Sequence, residues 1–318
     1  MPMAVEAQHS GLSSRVVASR AAVTVAASML LYTMGPPSIA WQLIALLVAM
    51  ATTGLSHGAV DHLVASRCFR VQGVWFYLPY LAVSAVTAMI WLGSPPLALA
   101  VFLAISVWHF GEGDLRDHAP NLERRAMASL TRGLIVVGVL FTAWPDEVAG
   151  LLGPDLWRMP AFERTPWIPL VLCGAHVLSL VVSTRRWRAS LELAVYDALV
   201  LALWLWVAPP ILAFAGYFAV WHSMAHIDTL QTKLVGRSLL YHAMPLTLAA
   251  LAGGGLAMVA ADWWLGERPV AAVILPVLAA LATPHVLLTE AWRRVDPGDL
   301  APELALSTRI VAGESSLS

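Results

Sequence analysis

Charge is scarce in this chain. Asp, Glu, Lys and Arg together make up 12% of its 318 residues, about half the share in a soluble domain. Neither sign is in excess, since 19 basic residues face 20 acidic ones. That excludes the basic surface a nucleic-acid-binding protein needs. Cysteine is nearly missing too. Cys68 and Cys173 form neither a CxxC motif nor a disulfide framework. No long linker, low-complexity tract or soluble domain interrupts the sequence. What abounds is apolar: 59% of the residues are hydrophobic and the mean hydropathy is +0.72. So little polar surface cannot coat a water-soluble globule of this size, and the lipid bilayer is the expected solvent.

A spanning helix needs about 20 mostly apolar residues. Ten runs qualify or come close, at 16–34, 40–66, 74–93, 96–111, 126–144, 166–183, 190–207, 209–228, 239–261 and 270–291. Uncharged proline turns at Gly35-Pro36-Pro37, Ser94-Pro95-Pro96 and Ala208-Pro209-Pro210 predict tight helical hairpins. The predicted fold is therefore an all-α integral membrane bundle of about ten transmembrane helices. A cytoplasmic arm covers 1–15, one catalytic domain 16–292, and a polar cytoplasmic tail 293–318. No A-x-A cleavage pattern follows Arg15 and Arg20, so the first run is read as a retained anchor. With the N-terminus cytoplasmic, sixteen of the nineteen basic residues fall on the cytoplasmic side, leaving Arg158, Arg164 and Arg268 outside. The positive-inside rule then predicts a multi-pass inner (plasma) membrane protein with both termini cytoplasmic.

Chemistry resides in the histidines. His9 lies in the polar arm and His118 in a charged loop, where solvated roles are expected. His176 and His242 read as interhelical hydrogen-bond partners. The rest form four clusters: His57, Asp61 and His62; Trp108, His109, Glu112 and Asp114; Trp221, His222, His226 and Asp228; and Pro284 with His285. They occupy the second, fourth, eighth and tenth runs, all of which travel inward in this topology. Each cluster sits towards the C-terminal part of its run, so all four share a depth in the cytoplasmic half. Ionisable residues at such depth are costly and usually functional, and one shared site accounts for the coincidence.

His222 and His226 are spaced i, i+4, which puts both imidazoles on one helix face, as in H-x-x-x-H metal sites. His57 and Asp61 have the same spacing. Asp61 can orient a ring in its own cluster or one on a neighbouring helix. On a regular helix His62 points about 140° away from His57 and ranks below it as a ligand. Glu112 and Asp114 read equally well as interfacial carboxylates at a helix end. Trp108 and Trp221 are belt residues or channel-lining ones. A proton relay and a bis-histidine haem site are the rivals to a metal centre here.

The ordered set His57-Gly58-x-x-Asp61, His109-Phe110-Gly111-x-x-Asp114, His222-x-x-x-His226 and Pro284-His285 resembles the Brp/Blh family, over roughly 40–292. These are bacterial and archaeal integral-membrane β-carotene 15,15′-dioxygenases. The resemblance implies O2-dependent central cleavage of β-carotene to two molecules of retinal, at a non-haem Fe(2+) held by His57, His109, His222 and His226. Asp61, His62, Trp108, Asp114, Trp221, Asp228 and His285 are then supporting or substrate-lining candidates, and a retinal-binding opsin a possible partner. Zinc cannot change redox state, so oxygen chemistry on a polyene favours iron among the metals that imidazoles hold. Two other function classes compete. A di-iron hydroxylase or desaturase needs more histidines than these clusters supply. A carotenoid or retinal carrier or transporter needs no metal-like clusters, and a transporter predicts an internal repeat.

Overall fold

The computed structural model describes residues 14–118, 125–153, 156, 164–183, 189–231, 239–265 and 270–294. Every regular element among them is helical. In order they are α1 (Ser14–Met34), α2 (Ile39–Ala49), α3 (Asp61–Phe69), α4 (Val74–Gly93), α5 (Pro95–His118), α6 (Arg125–Ala143), α7 (Pro145–Leu152), α8 (Trp167–Val182), α9 (Ala189–Val207), α10 (Pro210–Gly216), α11 (Met224–Leu230), α12 (Leu239–Leu265) and α13 (Val270–Arg294). Two π-helical turns, Met50–Gly54 and Tyr217–Ser223, continue α2 and join α10 to α11. The proline turns fall at helix junctions as expected. Pro95 and Pro210 open α5 and α10, where the missing N–H had no intrahelical partner to lose.

Six helical stretches among the described residues are long and apolar enough to cross a membrane: Ser14–Met34, Val74–Gly93, Pro95–Leu115, Arg125–Ala143, Tyr241–Ala260 and Ile274–Arg294. Ile39–Gly54 and Trp167–Val182 are apolar but shorter. On the outer face of α4, Trp75, Leu78, Leu81, Met89 and Leu92 are exposed, as are Leu248, Leu256 and Val259 on α12. Contiguous apolar faces of this kind are incompatible with water. The chain is a multi-pass, all-helical membrane protein.

Three sequence expectations change. The run 40–66 is not one helix: α2 and its π turn end at Gly54, residues 55–60 form turns, and α3 starts at Asp61. The run 96–111 extends to His118, because Glu112 and Asp114 are not interfacial but buried, at 5% and 3% exposure, with partners that let the helix continue. Arg20 and Arg132, counted above as cytoplasmic flanking charges, are also buried and pair with carboxylates inside the bundle. They say nothing about orientation. Arg124, Arg158, Arg185, Arg186, Arg188, Lys233, Arg237, Arg268 and Arg309 lie outside the described residues, as do His9 and the side chain of His118. So do most of the predicted arm and tail, although α13 runs on through Arg294.

The bundle is built around α5, α6 and α9. α6 packs on α5, α8 and α9, α1 lies on α9, and α13 packs on α4 and α5. Their shared core includes Phe110, Ile135, Val139, Leu201, Leu205 and Tyr217. His176 of α8 meets Thr131 of α6 at 3.0 Å, the interhelical role expected of it. The α5–α6 crossing is the tightest contact. A Cβ at Gly111 would lie 1.8 Å from the Ser129 carbonyl oxygen, and one at Gly133 1.7 Å from that of Val107. Only backbone fits between backbones there. That closeness fixes the height of His109 and Asp114 against Arg132.

Gly111→Ala or Gly133→Ala should therefore destabilise the protein by about 1–3 kcal/mol or more, the cost of overpacking a core. Gly253→Ala, where a Cβ meets nothing within 4 Å, should be nearly neutral. Thermal unfolding of the three variants in detergent checks the contrast.

Candidate functional site

Five imidazoles from separate parts of the chain meet inside the bundle. The ring of His57 lies 5.5 Å from that of His222, 5.3 Å from His226 and 5.0 Å from His285, centroid to centroid. His109 is 5.0 Å from His222 and 5.4 Å from His285. His226 and His285 are 5.7 Å apart. His57 sits in the turns after α2, His109 on α5, His222 at the end of the second π turn, His226 on α11 and His285 on α13. The four sequence clusters thus share one place. One π turn ends three residues before His57, and the other contains His222. A π turn widens the helix and shifts the facing of every residue after it, so the rings are aimed by irregular backbone.

Three of the rings have a polar neighbour outside the cluster. The Nδ1 of His57 lies 3.4 Å from the Thr53 carbonyl. Asp61 does not support His57, the partner that i, i+4 spacing offered. The turns at 55–60 break that register, and Asp61 accepts from His285 Nδ1 at 2.9 and 3.0 Å instead. The Tyr80 hydroxyl donates to the same carboxylate at 2.9 Å. A carboxylate held in this way fixes both tautomer and tilt of an imidazole. His222 Nδ1 stands 3.9 Å from Asp114 Oδ1. Two nitrogens, His109 Nδ1 and His285 Nε2, are buried with no hydrogen-bond partner. Gly58 leaves room for the His285 ring, which a Cβ there would meet at 3.5 Å.

Behind His222 lies a network that sequence reasoning missed. Arg132 donates to Asp114 Oδ2 at 2.9 Å and to Asp197 Oδ2 at 2.8 Å. Arg20 donates to Asp197 Oδ1 at 2.9 Å, as does the Trp221 indole at 3.1 Å. The Tyr217 hydroxyl reaches Asp114 Oδ1 at 3.3 Å. Asp114 and Trp221 stand out in the sequence; for the other members the one signal is a carboxylate, Asp197, in the middle of an apolar run. Its partners lie on other helices, beyond any local pattern.

The remaining candidates stand apart from the ring cluster. His62 turns to the Ala59 carbonyl at 3.1 Å. Asp228 is exposed and Trp108 half-buried. Trp221 belongs to the ion network. Glu112 accepts from the Ser129 hydroxyl at 2.7 Å. Beside the rings is a cavity of about 150 Å³, walled almost wholly by apolar side chains, among them Phe102, Phe110, Leu140, Phe141, Phe214 and Leu278. Phe110 joins the two features: it lines the cavity and packs 4.9 Å from the His222 ring.

A model of the family described as Beta-carotene 15,15′-dioxygenase matches residues 48–293, a segment that contains all five rings. The chain belongs to that family. It is 30% identical over 298 positions to "Probable beta-carotene 15,15′-dioxygenase Blh" of Halobacterium salinarum, which covers 78% of this chain and 84% of that protein. It is 27% identical over 273 positions to "Beta-carotene 15,15′-dioxygenase" of an uncultured marine bacterium, with 81% and 95% coverage. No solved structure matches the chain.

The donor chemistry of the cluster suits a transition metal. It offers imidazoles, two of them with buried nitrogens that have no other partner. Among the described residues no three His, Cys, Asp or Glu side chains close to metal-holding geometry. The rings are gathered at 5.0–5.7 Å. Neighbouring imidazoles on one ion, each with its nitrogen about 2 Å from the metal, stand roughly 5 Å apart.

The ion network behind the rings should be costly to break. Arg132→Met leaves Asp114 and Asp197 buried beside each other with too little positive charge, and should cost about 3–5 kcal/mol. Adding Asp114→Asn should recover part of that loss. A double-mutant cycle by denaturant unfolding in micelles measures the coupling.

Proposed function

We propose that this chain cleaves β-carotene with O2 at the central 15,15′ double bond, within the membrane, at a non-haem Fe(2+) centre held by His57, His109, His222 and His226. Membership of the family and the names of its relatives support the reaction. The observation that carries the site is the meeting of these four rings from distant parts of the chain. When bound, Fe(2+) supplies the one-electron chemistry that lets O2 react with a polyene, which a redox-inert zinc could not. One oxygen atom ends in each of the two aldehydes, so substrate and O2 are fully accounted for in two molecules of all-trans-retinal.

The protein's part is to hold, aim and exclude. Asp61 and Tyr80 fix the His285 ring, and Asp114 stands behind His222. The apolar cavity takes one segment of a rod about as long as the bilayer core of ~30 Å. Phe110 sets where that segment ends relative to the rings. Positioning of this kind selects one double bond among many similar ones. The walls keep water away, and a lipid-soluble substrate can enter sideways without crossing an aqueous phase. Retinal passing on to an opsin partner is consistent with a product released into the same bilayer.

Ten crossings with both termini cytoplasmic remain our reading of the topology, with six spans supported by length and composition. Reporter fusions test it. A C-terminal reporter should be active in the cytoplasm, and activity confined to the periplasm would overturn the orientation.

Expression in β-carotene-producing cells should bleach the orange colour and yield retinal. His222→Ala and His226→Ala should abolish retinal and iron while the protein still inserts. Asp61→Asn, which loosens His285 and none of the four proposed ligands, should lower retinal yield with iron still bound. His57→Ala should lose both, and excess Fe(2+) should restore neither. Metal analysis of the purified variants alongside retinal yield checks both. Full activity in iron-free wild-type protein would refute the centre.

A further inference from the structure

We infer that Arg20, on α1, is a positioning residue for His222. The inference rests on the reading of His222 as a ligand. α1 lies outside the family-matched segment 48–293, yet it reaches the site. One arm of the Arg20 guanidinium, Nη1, donates to Asp197 at 2.9 Å. The other, Nη2, donates to the backbone carbonyls of Val220 at 3.2 Å and Trp221 at 3.4 Å. The guanidinium also lies 5.2 Å over the Trp221 ring. Those carbonyls belong to the π turn Tyr217–Ser223, directly before His222.

A π turn moves the backbone hydrogen-bond register from i−4 to i−5, and carbonyls near the shift accept readily from outside donors. Arg20 takes that role from a separate helix. Asp197 in turn holds the Trp221 indole and Arg132, and Arg132 holds Asp114 beside the His222 ring. The backbone just before His222 is thus gripped by Arg20 and the His222 ring is faced by Asp114, with Asp197 tying the two together. Arg20 is 5% exposed and Asp197 fully buried, so water cannot replace either contact. A planar fork serves both directions at once, which a lysine ammonium cannot do.

The test uses the full chain with Arg20→Met, Arg20→Lys and a control, Arg164→Met. Arg164 stacks on Trp144 and Trp206 at 4.7 and 4.4 Å, away from the rings. Two readouts are needed: Fe(2+) affinity of purified protein, and hydrogen–deuterium exchange of residues 217–226 in chelator-treated protein. Arg20→Met should weaken Fe(2+) binding by about 10–100-fold, as loss of support behind a ligand does, and should speed exchange across 217–226. Arg20→Lys should fold, keep the pair with Asp197 and fall between Arg20→Met and wild type in both. Arg164→Met should change neither. Wild-type iron affinity and exchange in Arg20→Met would overturn the inference. So would a loss of stability with no change in either readout. If Arg20→Met does not fold, wild-type values in Arg20→Lys would overturn it as well. Should wild-type protein bind no iron while Arg20→Met still loosens 217–226, the positioning role stands and the metal reading fails.

Discussion

Asp197 is wholly buried, and a carboxylate sealed in an apolar bundle is tolerable only when cations and donors surround it. Two arginines and an indole do so here, and they come from α1, α6 and the π turn. Much of the architecture follows from that requirement. α1 must lie on α9 for Arg20 to reach. α6 must cross α5 closely enough for Arg132 to bridge Asp114 and Asp197. The two glycines that permit the crossing are therefore part of the same arrangement. A protein with so few charges has placed several of them directly behind its histidines.

The histidines themselves were legible in the sequence. An imidazole in an apolar run is conspicuous, and four clusters at one depth have no ready explanation but a common site. The helical fold was legible for the same reason, since hydropathy and proline turns depend only on neighbours in the chain. What escaped was which partners on other helices most of the charged groups meet. Arg20 and Arg132 look like ordinary flanking charges when only local composition is visible. Asp61 suited either a ring of its own cluster or one on a neighbouring helix, and the structure shows the second. Once residues 55–60 leave the helix, Asp61 heads α3 and faces α13 and His285. The end of α5 is set in the same way: Glu112 and Asp114 interrupt an apolar run, but Ser129 and Arg132 accommodate them.

The cavity and the ring cluster are separate in character and joined at one side chain. The cavity walls are almost wholly apolar, while the cluster consists of imidazoles. Phe110 touches both, and it follows His109 directly in sequence. The residue that limits how far an apolar guest advances is thereby tied to one of the groups that guest must meet. Little adjustment of α5 is possible without moving both, because Gly111, next in line, is pressed against the backbone of α6.

The π turn at Tyr217–Ser223 has a consequence for how this protein can diverge. Each residue of a helix turns it by about 100°. Deleting one residue from the turn would restore an ordinary helix, tidier by every local criterion, yet swing His222 and His226 away from the other rings. Inserting one elsewhere in α10 would misdirect them as surely. Substitutions in this stretch are limited by packing, but changes of length are limited by angle. The spacing between Pro210 and His222 is thus a fixed count, in the way a thread pitch is fixed, and related chains that keep the site should preserve that interval even where they share few of its side chains.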